Sequence, residues 1–134
     1  MLCTYVERNI YILGTHQKNK VVRSNQVIVK EFLNSIVKIV SEGSSDKYVM
    51  MVLSRFINGH SEVFPLSKYI HIDLQTIVVD KKINYVNPKD VGKFLRVLVK
   101  SLFSDLFMLL VKKKIPKRLA EDLEYLGIKM NGDL

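Results

Sequence analysis

One cysteine, Cys3, stands among 134 residues. No disulfide can form within the chain, which fits a reducing, cytoplasmic compartment. The six glycines are scattered. They form no loop that cradles phosphate, and the dinucleotide fingerprint, the phosphate loop and the nucleophile elbow are all missing. His16 and His60 fall in expected loops without a partner at ligand spacing, so no metal or cofactor is implied. No low-complexity segment or interdomain linker occurs. The opening MLCTYVERNIYIL has no basic region before its apolar run and meets Glu7 and Arg8 early, so no secretory leader is expected.

Acids are also few. Thirteen Asp and Glu face 21 Lys and Arg, giving a net charge of +8. Such a surplus favours an anionic partner: nucleic acid, a membrane surface or an acidic protein. A lysine-rich composition alone produces the same surplus without any such partner.

Apolar residues are plentiful. At 48% of the chain they suffice for a core without disulfides or metals, and one domain over 1–134 is expected. The longest apolar stretch is Val91–Val111, opened by Asn87-Pro88-Lys89-Asp90. Asn at the cap, Pro at the first helical position and Asp near the positive end of the dipole all signal a helix start. The stretch predicts one long helix over about 88–113, buried on most sides, with a narrow polar stripe at 93, 96, 100 and 104. It is long enough to span a bilayer. Lys93, Arg96, Lys100 and Asp105 oppose that, at about 2.5–3.5 kcal/mol for each charge near the bilayer centre. No membrane span is expected.

Elsewhere, β-branched and aromatic residues predict a hairpin over 2–13, with Glu7-Arg8-Asn9 as its turn. Ser24-Asn25 caps a helix to about Ser41, with Gly43 as its stop. Ser44-Ser45-Asp46 caps a second helix, closed by Asn58-Gly59. Residues 69–74 alternate as a strand. Residues 76–79 and 83–86 predict a second hairpin around Asp80-Lys81-Lys82. Pro116 opens a short amphipathic helix that Gly127 ends. VKEFLNSIVK (29–38) and VGKFLRVLVK (91–100) share a faint likeness, which amphipathic helices also show by chance. The fold class expected is α+β: a small antiparallel sheet of two hairpins packed against helices. A winged helix competes, with 61–69 as recognition helix and 74–86 as wing, although Pro65 sits badly inside such a helix.

The densest chemical signal is Lys112-Lys113-Lys114-Ile115-Pro116-Lys117-Arg118, five cations in seven residues at a helix end. With Lys81 and Lys82, and with Lys18, Lys20 and Arg23, it makes a phosphate-gripping patch if the fold brings the runs together. Cations at a helix C-terminus are also stabilising in their own right, by about 0.3–1 kcal/mol each. Tyr5, Tyr11, Tyr69 and Tyr85 fall on expected strands, where they either stack bases or pack. His71 and Asp73 share a strand face. Asp73, followed by Asp80-x-Lys82, has the outline of a metal-dependent nuclease, in which two carboxylates hold Mg²⁺ and the lysine polarises water or phosphate. A hairpin tip offers the plainer role of turn residues.

These features point to a non-enzymatic basic binding module, a subunit of a nucleic-acid-associated assembly that contacts phosphates. Alternatives are a protein–protein scaffold or homodimer subunit that covers Leu106–Val111, a metal-dependent nuclease, and a winged-helix regulator.

Overall fold

The computed structural model describes residues 22–42, 45–103 and 105–129. Among these described residues, five helices and one small sheet follow in order: α1 (Asn25–Val40), α2 (Asp46–Gly59), β1 (Ile70–Ile72), β2 (Ile77–Val79), α3 (Pro88–Leu102), α4 (Asp105–Lys114) and α5 (Lys117–Tyr125). Short 3-10 turns at Pro65–Tyr69 and Lys81–Tyr85 flank the sheet. The architecture is α+β, with the antiparallel pair packed against helices. The expected 2–13 hairpin lies outside the described residues. Among those described, no helix is long and apolar enough to cross a membrane.

The helices begin where their caps lie. Ser24 Oγ accepts the Val27 N–H, Ser45 Oγ the Lys47 N–H, and Asn87 Oδ1 the Lys89 N–H. Each satisfies a first-turn donor that has no intrahelical partner. On α1 the apolar spacing buries Ile28, Val29, Phe32, Leu33, Ile36 and Val37 along one stripe. On α3 it buries Val91, Phe94, Leu95, Leu98 and Val99. The Phe94 ring meets Phe64 edge-on at 5.3 Å and Phe56 at 6.2 Å, joining α3 to α2 and to the 65–69 turn. The 29–38 and 91–100 segments are therefore both helices with a buried face.

Three expectations are corrected. The long helix of 88–113 is two helices. At Phe103 the backbone turns extended (φ −135°, ψ 151°), and its N–H closes α3 on the Val99 carbonyl. The half-buried Phe103 side chain packs against the core. Second, residues 83–86 are not a strand. The hairpin pairs Ile70 with Val79, His71 with Val78 and Ile72 with Ile77, so its loop is Asp73–Thr76. Residues 81–85 form a 3-10 turn, and carbonyls at its middle and its exit are bonded from α1, not from a strand partner. Asn25, buried at the start of α1, donates its amide to the Ile83 and Val86 carbonyls, both at 2.9 Å. Third, 61–69 is no recognition helix; only Pro65–Tyr69 is helical, with proline at the start of a single 3-10 turn.

The C-terminal end of α5 closes with two nested bonds, from Ile128 N–H to the Leu123 carbonyl and from Gly127 N–H to the Glu124 carbonyl. Gly127 takes φ +93° to make them. This turn sits against Gly92 of α3. A Cβ built at position 92 would stand 1.8 Å from the Leu126 carbonyl oxygen. Glycine inside a helix costs about 1 kcal/mol relative to alanine, so alanine at an open site would stabilise. Here overlap with the backbone dominates. Gly92→Ala is expected to destabilise by about 1–3 kcal/mol in urea unfolding; a neutral or stabilising result would place the α5 turn elsewhere.

Candidate functional site

The face of α3 turned away from the core carries Lys89, Lys93, Arg96 and Lys100, all exposed. At 100° per residue these four fall within an arc of about 60°, and their Cα atoms span about 16 Å along the axis. Among the described residues none of the four is in an ion pair. Arg96 donates to the Gly127 carbonyl at 3.0 Å, which holds its guanidinium beside the α5 turn. Asp90 is the one acid on the exposed side of this helix. The sequence marked 93, 96 and 100 as a polar stripe and did not identify it as a site, since its cations are never adjacent in the chain.

The cluster at the α4–α5 junction is less open than its sequence suggests. Lys113, Lys117 and Arg118 are exposed and Lys112 is half-buried. Lys114 donates to Glu42 at 2.7 Å. That pair holds the Glu42 carboxyl below its usual range, through the hydrogen bond first and the lysine charge second. Lys81 and Lys82 are exposed at the start of the second 3-10 turn. Lys18 and Lys20 lie outside the described residues.

Arg23 does not belong with a phosphate-facing group. Its Nε donates to Asp122 at 2.6 Å, and its two terminal nitrogens grip Glu31 at 2.9 and 3.1 Å. The Glu31 bond first, and the Asp122 bond and charge with it, raise the Arg23 pKa against the lowering effect of burial. Asp122 is buried in α5. The clasp joins Arg23, just ahead of the α1 cap, to α5, while Lys114–Glu42 joins the far end of α1 to the α4–α5 junction. The segment from Lys114 to Asp122 therefore runs back along α1.

Asp73 and Asp80 serve as turn caps. Asp73 Oδ1 accepts the Gln75 and Thr76 N–H groups, and Asp80 Oδ1 accepts the Lys82 N–H. Asp73 sits opposite Thr76 at the loop and Asp80 opposite Tyr69 at the open end. Three strand residues lie between these ends, four steps or about 13 Å. The hairpin thus does not bring the two carboxylates together as a shared metal site requires. Among the described residues no group of three His, Cys, Asp or Glu could hold a metal. His71 is exposed on the strand face opposite Ile70. His60 stacks on Phe56 at 3.9 Å, and its Nδ1 bonds the Phe56 carbonyl at 2.8 Å. Tyr69 and Tyr85 stand on 3-10 turns, not strands; Tyr85 is exposed and Tyr69 half-buried. Of the apolar run in α4, Val111 is fully buried and Leu109 is exposed; the side chains at 106–108 and 110 lie outside the described residues.

A groove of about 410 Å³ opens between the 65–69 turn and the start of α3, walled by Phe64, Pro65, Tyr69 and Val86. Lys68 and Lys93 stand on its two banks, with Asp90 beside Lys93.

Two outcomes follow from these carboxylates. Arg23→Ala strands the buried Asp122 charge and is expected to cost about 3 kcal/mol in chemical denaturation; a loss under 1 kcal/mol would mean that the clasp contributes little. The Asp73 carboxyl is held low, chiefly by the Gln75 N–H and then by that of Thr76. Its contribution is present above the unfolded value of about 3.9 and is lost as pH falls through the lower native value. The urea midpoint should therefore fall below about pH 4, and fall less steeply in Asp73→Asn; parallel profiles would remove Asp73 as a cause.

In comparison with known proteins, the chain matches no family model, no curated protein and no solved structure. What it does must therefore be argued from its own side chains.

Proposed function

We propose that this protein is a non-enzymatic binding module that holds nucleic acid by its phosphates. The α3 row carries the reading. Three neighbouring pairs within it, Lys89/Lys93, Lys93/Arg96 and Arg96/Lys100, are like charges at three- or four-residue spacing. Each such pair destabilises a helix by about 0.2–0.5 kcal/mol. Lys89 also sits at the positive end of the helix dipole, where a cation is unfavourable. Folding gains from Arg96, which bonds the Gly127 carbonyl, and from Lys100 in the last turn. It does not gain from Lys89 or Lys93, and a polyanion is the natural reason for setting all four in one row. The Lys112–Lys114 run differs, since cations at a helix C-terminus support the helix by themselves. The exposed Lys113 and Lys117 form a second contact region. Four cations about 4.5–6 Å apart along an axis suit a chain of phosphates better than one small anion. Such contacts position a strand without reading its sequence.

The test is salt dependence. Affinity for a nucleic acid should fall with log salt at a slope of about −3 for four phosphate contacts on a single strand. Replacing Lys89, Lys93 and Lys100 with glutamine should flatten that slope by about 2. Replacing Lys112, Lys113 and Lys117 should flatten it less. A protein that fails to bind DNA, RNA or heparin at low salt would defeat the proposal.

A further inference from the structure

We infer that the groove beside the α3 row takes an unpaired nucleobase, so that the ligand is a single strand. This inference rests on the phosphate-binding reading and specifies its substrate class. Lys93 belongs both to the row and to the groove. A strand whose phosphates follow the row therefore has a neighbouring nucleotide at the groove mouth. The volume of about 410 Å³ lies within the usual range for small-ligand sites, about 300–1,000 Å³.

The lining suits a base with its phosphate. Tyr69, Phe64 and Pro65 give flat, apolar walls, and the Lys68 ammonium lies 5.3 Å from the centre of the Tyr69 ring. Lysines from two separate elements, Lys68 and Lys93, make both banks cationic. That charge favours an anionic ligand over an apolar peptide side chain. Asp90, which also lines the groove, offers an acceptor to the N–H edge of a base. A base inside a duplex is stacked and paired, and reaches no groove; an unpaired one stacks on aromatic side chains.

The experiment uses the full chain and three labelled DNA ligands in fluorescence anisotropy at one salt concentration. They are a 12-nucleotide oligothymidine, an abasic strand of the same length, and a 12-base-pair duplex. The oligothymidine is expected to bind at least about tenfold tighter than the abasic strand, from the stacking of one or two bases. Tyr69→Leu, which keeps an apolar side chain on the core, is expected to erase that difference while leaving abasic-strand binding unchanged. Because Tyr69 also packs inward, a second measurement needs no variant. Thymidine monophosphate should shift the backbone amide signals of residues 63, 64 and 66–69 in NMR, and inorganic phosphate should leave these in place, acting only near Lys89 and Lys93. Equal affinity for the oligothymidine and abasic strands, or tighter binding to the duplex, overturns the inference and leaves the phosphate reading standing. Equal shifts with monophosphate and phosphate do the same. Failure to bind any of the three ligands overturns both.

Discussion

The first turn of α1 is bonded to the segment that follows the hairpin, and much of the molecule is arranged around that seam. Asn25 gives its amide protons to the carbonyls of Ile83 and Val86. Gln26 adds two more bonds, its backbone N–H to the Asn84 side chain and its own amide to the Val79 carbonyl. Asn25 is buried, and a polar group shut away from water is tolerated only when bonded. These bonds satisfy the end of β2 and the carbonyls of the 3-10 turn together. They also fix where the chain leaves that turn, at Val86-Asn87, and hence where α3 begins and which face it shows to solvent.

That dependence explains what the sequence disclosed and what it withheld. Helix starts were legible because a cap is a local matter: Ser24, Ser45 and Asn87 each act on residues two or three positions away. The segment 83–86 was not legible. Its apolar residues fit a strand as well as a turn, and the deciding partner, Asn25, is 58 residues from Ile83. The break in the long helix was not legible either. Uninterrupted hydrophobicity on both sides hid it.

The candidate site divides in the same way. A run such as Lys112–Lys114 is obvious in the chain, yet Lys114 is engaged by a glutamate 72 positions away, and Arg23 by an aspartate 99 positions away. Proximity in sequence therefore overstated how many of these cations are left unengaged by an acid of the same chain. The α3 row shows the reverse. Its members are separated by two or three residues, look like ordinary helix polarity, and become one row only when the helix winds. Burial of Phe94, Leu95 and Leu98 on the opposite side supplies the stability that lets like charges stand together. The nuclease outline around Asp73 and Asp80 depended on an assumed hairpin register, and the observed register sets the two acids at opposite ends.

The Arg23–Asp122 clasp also has a kinetic meaning. Joining residues 99 positions apart closes a loop that includes α1 to α4. Loop closure at that separation costs about 4 kcal/mol of chain entropy before any reward is received. Docking of α5 is then favoured only after the intervening elements have condensed, which makes it a late step. Undocking of α5 would give that chain entropy back. Release of α5 would bare Leu119 and Leu123 and part Asp122 from the Arg23 Nε, while Glu31 still grips the guanidinium and the aromatic contacts of Phe56, Phe64 and Phe94 still bind the remainder into one body.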